Sequence, residues 1–496
     1  MMDAASLATG APAMRRSLVL SACMMATFMA AVESTIVATA MPSIAAKLGG
    51  FSLFSWVFSA YMLAQAVTIP IYGRLADIYG RKRLFYVGAG LFLVGSISCG
   101  LSTSMLQLVM FRLLQGIGAG GVQPIANTIV GDIYTPSERA RIQGLLSSVF
   151  AVSALAGPSL GAFLVAYASW QVVFWVNLPI GIAAIVMIAA FLPESVQHRA
   201  HRVDYAGSAL LALTVGAFML LLVQGSSLDR TQMAAAGAVG LCAAVLLAWH
   251  EWRTPEPLLP LELWRNRVIV IGSVGSCVTG AIVMGIAAFL PAYVQGAMGR
   301  SAALAGSILG LMTVVWALSS AVAGQILVRT TYRFTATLGS VLLVMGCLTL
   351  IAATPARGPG WAASGAMLAG IGMGLCNTTF MVSVQAAVSW QQRGAATSSA
   401  MFLRFLGQAL GAAGFGAMIN FSLMAQGPAA SQAVDELMDP RLRRLLPTET
   451  IATLSDVVAS GMHNGYLLAG LLAVLALGLA RLLPARLGPA NQPARR

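Results

Sequence analysis

Residues 73–84 read GRLADIYGRKRL and lie between two apolar stretches. A membrane hairpin anchored by charge alone needs bases at its turn, but it has no use for two spaced glycines with an aspartate between them. Gly73 and Gly80 permit tight backbone geometry. Asp77 can cap a helix start or pair with an arginine, and Arg81, Lys82 and Arg83 form a basic cluster beside it. The stretch therefore reads as a tight loop that pairs charges. Asp132 and Glu138, at the end of the fourth apolar segment on the same side, are its expected partners.

Away from this loop the chain is apolar almost throughout. Of 496 residues, 58% are hydrophobic and 9% charged, against roughly 25% charged usage in soluble domains. Apolar stretches of about 20 residues, each long enough to cross a hydrocarbon core as a helix, centre on 17–40, 52–72, 84–102, 105–127, 141–167, 171–192, 205–224, 232–251, 268–297, 303–328, 335–353, 359–385, 395–422 and 463–483. The first contains Glu33 and lacks a small-residue cleavage site, so it is expected to be retained as a helix. No soluble domain of any size is left over.

The net charge of +13 does not call for nucleic acid once the bases are assigned to alternate loops. With the N-terminus inside, 20 of the 29 Lys and Arg fall on the cytoplasmic side and seven outside, a positive-inside pattern that places both termini in the cytoplasm of a multi-pass protein of the cytoplasmic (inner) membrane. Arg112 and Arg404 remain within helices. The six cysteines fall inside predicted spans without metal-ligand spacing and read as small packing residues. His198 and His201 share a basic linker with no third ligand. No nucleophile–base cluster, metal motif or P-loop is present, so neither an enzyme nor an ATP-driven pump is expected, and no cofactor is called for.

The stretches fall into six, two and six: 15–193, a hairpin at 204–252, and 266–484 with a polar loop at 423–462, expected to be solvated or to form a short amphipathic helix on the outside. GQILVRTTYRF from Gly324 is a worn copy of the 73–84 stretch displaced by 251 residues, with Val328 in place of the aspartate. Arg393 and Gly411 echo Arg139 and Gly157 at a displacement of 254. Two echoes at nearly one offset indicate duplicated six-helix halves, with the hairpin inserted between them.

Ionisable groups at bilayer depth cost roughly 2.5–3.5 kcal/mol each on insertion scales, and so mark function. Of sixteen acids only Glu33 lies deep, roughly 24 Å along its helix, while Arg112 lies roughly 10 Å from the outer end of its own. Both sit in the outer half of the core and can face one cavity, either as a proton site or as a static structural pair. Arg404 can meet an anionic substrate or a helix end, or snorkel to the interface, and Tyr61, with Trp56, Phe111 and Trp316, is a candidate for lining a substrate cavity. A single deep acid accommodates a divalent cation poorly, so monovalent cations, neutral compounds and zwitterions are expected to be handled better than dications.

In AVSALAGPSLG, residues 151–161, Pro158 removes a backbone donor and Gly157 and Gly161 leave room, so a kink or pivot is expected. This run, RLLQGIGAGG from Arg112 and the 73–84 loop resemble motifs C, B and A of the major facilitator superfamily. AVESTIVATAMP at 31–42 and WQVVFWVNLPIG at 170–181 resemble the first- and sixth-helix signatures of its fourteen-span drug:proton antiporters (EmrB/QacA-like). The resemblance covers essentially the whole chain. It implies an all-α fold of two six-helix halves plus a hairpin, proton-coupled export of lipophilic or amphiphilic small molecules by alternating access, a motif A latch that stabilises the outward-open state, and an arginine tied to proton coupling. Lipid or envelope-component translocation, or export of a dedicated natural product, is the alternative on the same fold. That group commonly has aspartate where Glu33 stands and asparagine where Ala38 stands. Membrane lipids and protons are the other expected partners, and nothing in the residues assigns a periplasmic adaptor or an outer-membrane channel.

Overall fold

The computed structural model describes residues 15–134, 136–193, 204–224, 228–254, 261–388, 392–425, 430–438 and 442–485. Among these residues regular structure is entirely helical. The long helices are α1 (Arg16–Leu48), α2 (Phe54–Tyr79), α3 (Arg81–Gly100), α4 (Met105–Ile133), α5 (Pro136–Tyr167), α6 (Val172–Phe191), α7 (Tyr205–Gln224), α8 (Arg230–Arg253), α9 (Arg267–Ala292), α10 (Ala302–Arg329), α11 (Tyr332–Ile351), α12 (Pro359–Ala386), α13 (Arg393–Met424) and α14 (Thr448–Leu482). Thirteen are long and apolar enough to cross a membrane; α5, whose apolar part is Leu155–Tyr167, completes the series.

The breaks follow local chemistry. Ser104 caps α4 by accepting from the Gln107 amide, and Asp229 and Gln232 close a reciprocal capping box on α8. The closely spaced pairs α3/α4 and α11/α12 are divided as expected, the second at Gly358 with φ +80°. Residues 73–84 are not a loop. Helix α2 runs on to Tyr79 and α3 starts at Arg81, so the chain reverses at Gly80 alone, with φ +91°. The expectation for Gly73 fails: it lies within α2, and a Cβ there would meet nothing within 4 Å. Helix propagation needs no turn where the backbone can still hydrogen-bond to itself.

Helices α1 to α6 pack on one another, α5 against α1 and both α2 and α3 against α4. Helices α9 to α14 repeat the scheme, α13 against α9 and both α10 and α11 against α12. The echo of Gly157 at Gly411 has a spatial counterpart. Gly157 sits against Thr35 of α1 and Gly411 against Ala281 of α9, each position too close for any side chain. Small residues let backbones touch where lipid supplies no hydrophobic drive between helices.

The two sets meet toward the side opposite the chain termini, here the distal side. Ser59 Oγ donates to Ala409 O at 3.0 Å, Asn420 Nδ2 to Ser52 O at 3.0 Å, and the Phe54 ring lies 5.0 Å from that of Phe289. The hairpin seats α7 along α2 and α13, and Asp204 meets His250 Nε2 at 2.6 Å across its open end. Helix α8 turns Leu241, Val245 and Trp252 outward, a face suited to lipid rather than water. Cys242 is exposed on that helix, so it is not the packing residue expected.

Residues 423–462 depart furthest from a solvated loop. Helix α14 begins at Thr448, and Ala430–Met438 forms a short helix that buries Val434 and Leu437. Asp435 accepts from the Gly50 and Phe51 amides at 2.9 and 3.1 Å, and Arg443 donates to Gln295 O and Gly296 O at 3.1 and 2.7 Å. Residues 430–438 and 442–445 thus reach the α1–α2 junction and the end of α9. Burial pushes the Asp435 carboxyl up to about 6, against the two amide donors and with a further push from Glu436. A group that holds its proton to about pH 6 when docked, but only to its ordinary 3.8 when free, binds more protons docked. Docking is therefore tightest below pH 4, weakens as pH rises through 6 and levels off above. Limited proteolysis at 430–445 should quicken across that window in the parent, and Asp435→Asn should flatten the step.

Candidate functional site

Glu33 of α1 and Arg112 of α4, far apart in sequence, meet in the first set of helices. Arg112 Nη1 donates to Glu33 Oε1 at 2.5 Å and to Gln115 Oε1 at 2.6 Å, and its Nε donates to Val57 O of α2 at 3.1 Å. Asn177, at the bend that divides α6, donates from Nδ2 to Glu33 Oε2 at 2.6 Å. Gln115 Nε2 in turn donates to Ser96 Oγ of α3 at 2.7 Å. Glu33, Arg112, Gln115, Asn177 and Ser96 are all fully buried. The guanidinium lies 4.0 Å over the Tyr61 ring, a cation–π contact strengthened by the absence of water.

The local sequence explains the convergence. Arg112 and Gln115 are three apart, hence on one face of α4. Gly95 admits the α4 backbone, since a Cβ there would fall 2.6 Å from Gln115 Cα. Gly116 and Gly118 press α4 onto the backbones at Tyr61 and Phe92. Three polar atoms keep unspent capacity: Arg112 Nη2, Asn177 Oδ1 and the Tyr61 hydroxyl are buried without partners. The site can hold a carboxylate charge at depth, and loss of that charge would leave a guanidinium with fewer acceptors than donors.

The motif A residues are placed at the terminal side. Arg81 Nη1 pairs with Asp132 Oδ2 at 2.8 Å, both partly exposed, and Lys82 Nζ donates to Ala189 O and Leu192 O at 2.9 and 2.7 Å, at the end of α6, where a cation suits the helix dipole. Arg83 stands in the first turn of α3. The side chains of Asp77 and Glu138 lie outside the described residues. In motif C, α5 runs unbroken through Pro158. Gly161 faces Ile36 O, and Pro158 O lies 2.9 Å from where a Cβ on Gly306 of α10 would be, so this run forms one of the contacts between the two sets.

Tyr61 and Arg404 do not share a cavity. Tyr61 belongs to the Arg112 site, whereas Arg404 lines a small cavity between α9, α10, α12 and α13 together with Trp316, Asn377 and Gln408. Its guanidinium therefore does not snorkel to the interface. Trp56 and Phe111 pack against the core. Sequence reasoning missed Ser96, Gln115 and Asn177. Two of them stood inside the quoted runs RLLQGIGAGG and WQVVFWVNLPIG, where a polar amide among apolar residues was the available signal.

Duplicated six-helix packing around a buried ion pair is an arrangement met in secondary transporters. The chain belongs to the Major Facilitator Superfamily, which it matches over residues 23–412. It is 33% identical over 467 residues to Multidrug resistance protein 3 of Bacillus subtilis (strain 168), covering 90% of this chain and 91% of that one. It is 31% identical over 409 residues to Multidrug transporter protein MdtP of the same organism, covering 82% and 76%. Among solved structures it resembles a bacterial homolog of the human lysosomal transporter Spinster, in an inward-facing and unoccupied conformation, with TM-score 0.69 and 18% identity over 96% of this chain and 99% of that one. That likeness shows the fold.

Removing one partner of the buried pair strands the other. Arg112→Met should destabilise the purified protein by about 3–5 kcal/mol, read as a fall in thermal midpoint, and adding Glu33→Gln should recover most of the loss. Additive losses in the double variant would mean that the two residues are not energetically coupled.

Proposed function

We propose that this chain is a proton-coupled secondary exporter of lipophilic or amphiphilic small molecules, working by alternating access in the cytoplasmic membrane with both termini inside. The observation that carries this reading is the fully buried Glu33–Arg112 pair, the deep acid and base of the first set, held by groups from α2, α3, α4 and α6. The relatives named as multidrug proteins, similar along most of the chain, support the substrate class.

A proton reaching Glu33 removes the charge that holds Arg112 Nη1. The guanidinium then sits in a low-dielectric interior with Val57 O and Gln115 Oε1 as its remaining acceptors. A buried charge left without its partner costs several kcal/mol, and helix movement that admits water or a new acceptor relieves it. Proton binding thereby biases one facing state over the other, as coupling requires. With the termini inside, distal closure corresponds to a transporter shut toward the exterior. In that state Arg81 Nη1 and Lys82 Nζ bond within the first set, and Gly80 is the pivot on which the latch residues can turn to the other set in the outward-open state.

Ethidium efflux, measured in cells lacking their own major pumps at matched membrane levels, tests the reading. The parent should extrude dye, and both Glu33→Gln and a proton uncoupler should reduce extrusion to background. Parental efflux by Glu33→Gln would sink the assignment of the coupling site, and efflux indifferent to the uncoupler would sink proton coupling.

A further inference from the structure

The second deep cation stands in a different setting. Arg404 lies about eleven residues into α13, roughly 16 Å from its terminal-side end, and among the described residues its guanidinium makes no ion pair or hydrogen bond. The contact it has is with a ring, 5.1 Å from the Phe405 centroid. Around it, Thr279, Trp316, Asn377 and Gln408 line a small open-sided cavity between α9, α10, α12 and α13. Arg404 Nε, Asn377 Oδ1 and Gln408 Oε1 are all buried without partners. Thr279 spends its hydroxyl on Gly275 O at 2.8 Å.

The acids of the second set offer no relief. Glu262 precedes α9, Asp435 and Glu436 lie in the distal bridge, and Glu449 and Asp456 lie in the early turns of α14. Glu33 is committed to Arg112. Among the described residues Arg404 is therefore left without a compensating acid, with two side-chain amides beside it that can turn either end toward a ligand. Arg404 is half-buried with its Nε fully buried, and a cation at bilayer depth without a partner is costly, so a site of this kind favours a ligand that supplies the missing charge. A guanidinium fork fits an oxyanion in two-point contact, and the Trp316 indole gives a flat apolar wall for an aromatic body.

We propose that the Arg404 cavity is a subsite for an oxyanion on the substrate, and that the preferred substrates are aromatic amphiphiles bearing one ionised carboxylate or an equivalent group, zwitterions included. The identity of the cargo as a small molecule rests on the export reading above; the binding chemistry does not. Rigid dications are disfavoured twice, by Arg404 and by the absence of a second deep acid.

The test uses the full-length protein purified in detergent and two probes that differ only in whether one benzoate is ionised, rhodamine B and its ethyl ester, with binding followed by fluorescence polarisation. The parent should bind the acid about tenfold tighter than the ester, the size expected for one charge-assisted contact. Arg404→Gln should erase that preference and leave the ester within about twofold, whereas Arg404→Lys should retain part of it. If Arg404→Gln does not elute as a folded species, Asn377→Leu takes its place and should weaken acid binding severalfold while sparing the ester. Equal affinity of the parent for both probes, no binding of either, or parallel loss of both in a folded variant would overturn the proposal. Acid-selective binding in a protein that moves neither dye in proteoliposomes under an imposed proton gradient would uphold the subsite and overturn the export reading instead.

Discussion

The arrangement of the first six helices depends on one constraint: a carboxylate and a guanidinium taken into the bilayer must find their partners there. Insertion of each costs roughly 2.5–3.5 kcal/mol, and the pair repays that only with good geometry and further hydrogen bonds. The structure meets the condition by drawing acceptors and donors from five helices: Glu33 from α1, Val57 O from α2, Ser96 from α3, Arg112 and Gln115 from α4, and Asn177 from α6. Side chains of ordinary reach can meet this way only if the helices nearly touch. That requirement explains the glycines of α4 better than any local conformational need, since Gly116 and Gly118 are helical and simply leave no room for a Cβ.

Contacts within each set rest mainly on close helix packing at glycines, whereas those between the sets combine a few such approaches with polar bonds and rings. Within a set, backbone lies on backbone, as at Gly118 against Phe92 and Gly407 against Cys277. Between the sets the distal closure uses single hydroxyl- or amide-to-carbonyl bonds at Ser59 and Asn420, ring contacts at Phe54 and Phe289, and the Pro158–Gly306 approach. Neutral interhelical hydrogen bonds in membranes are worth on the order of 1 kcal/mol. Tight packing resists deformation in small steps, so the softest motion is one set moving against the other, which is the motion alternating access requires.

Much of this was readable in advance. Fourteen spans, including the divided pairs at 101–104 and 352–358, followed from apolar length and the residues that stop helices, and the depths of Glu33 and Arg112 allowed them to face one cavity. Three features did not. Helix α14 extends through polar residues 448–462 because a helix leaving the bilayer no longer needs apolar side chains, only its own hydrogen bonds. The 73–84 stretch was assigned two turning glycines, yet only Gly80 has the positive φ that demands one, and the sequence alone cannot distinguish a turning glycine from one inside a helix. Tyr61 went to Arg112 rather than to Arg404 because the rotation of α2 against α4, which chooses the face, is set by tertiary packing. Ser96, Gln115 and Asn177 escaped for a related reason: neutral polar side chains are cheap enough at depth that their presence alone does not mark a site.

The distal bridge adds a constraint that the six-plus-six scheme does not contain. One anchor, Asp435, holds two amides at the α1–α2 junction, where Gly49 and Gly50 both adopt positive φ and turn those N–H groups toward it. The other, Arg443, holds the carbonyls of Gln295 and Gly296 at the end of α9, where the helix widens into a π turn after Pro291. Both anchors grip backbone rather than side chains, so the bridge depends on the shapes of these two helix ends. Opening the distal side separates α1–α2 from α9, and a segment fastened to both cannot keep both grips. Hydrogen bonds to a charged group such as Arg443 contribute about 1.5–3 kcal/mol each, enough to bias an equilibrium between closed and open distal arrangements.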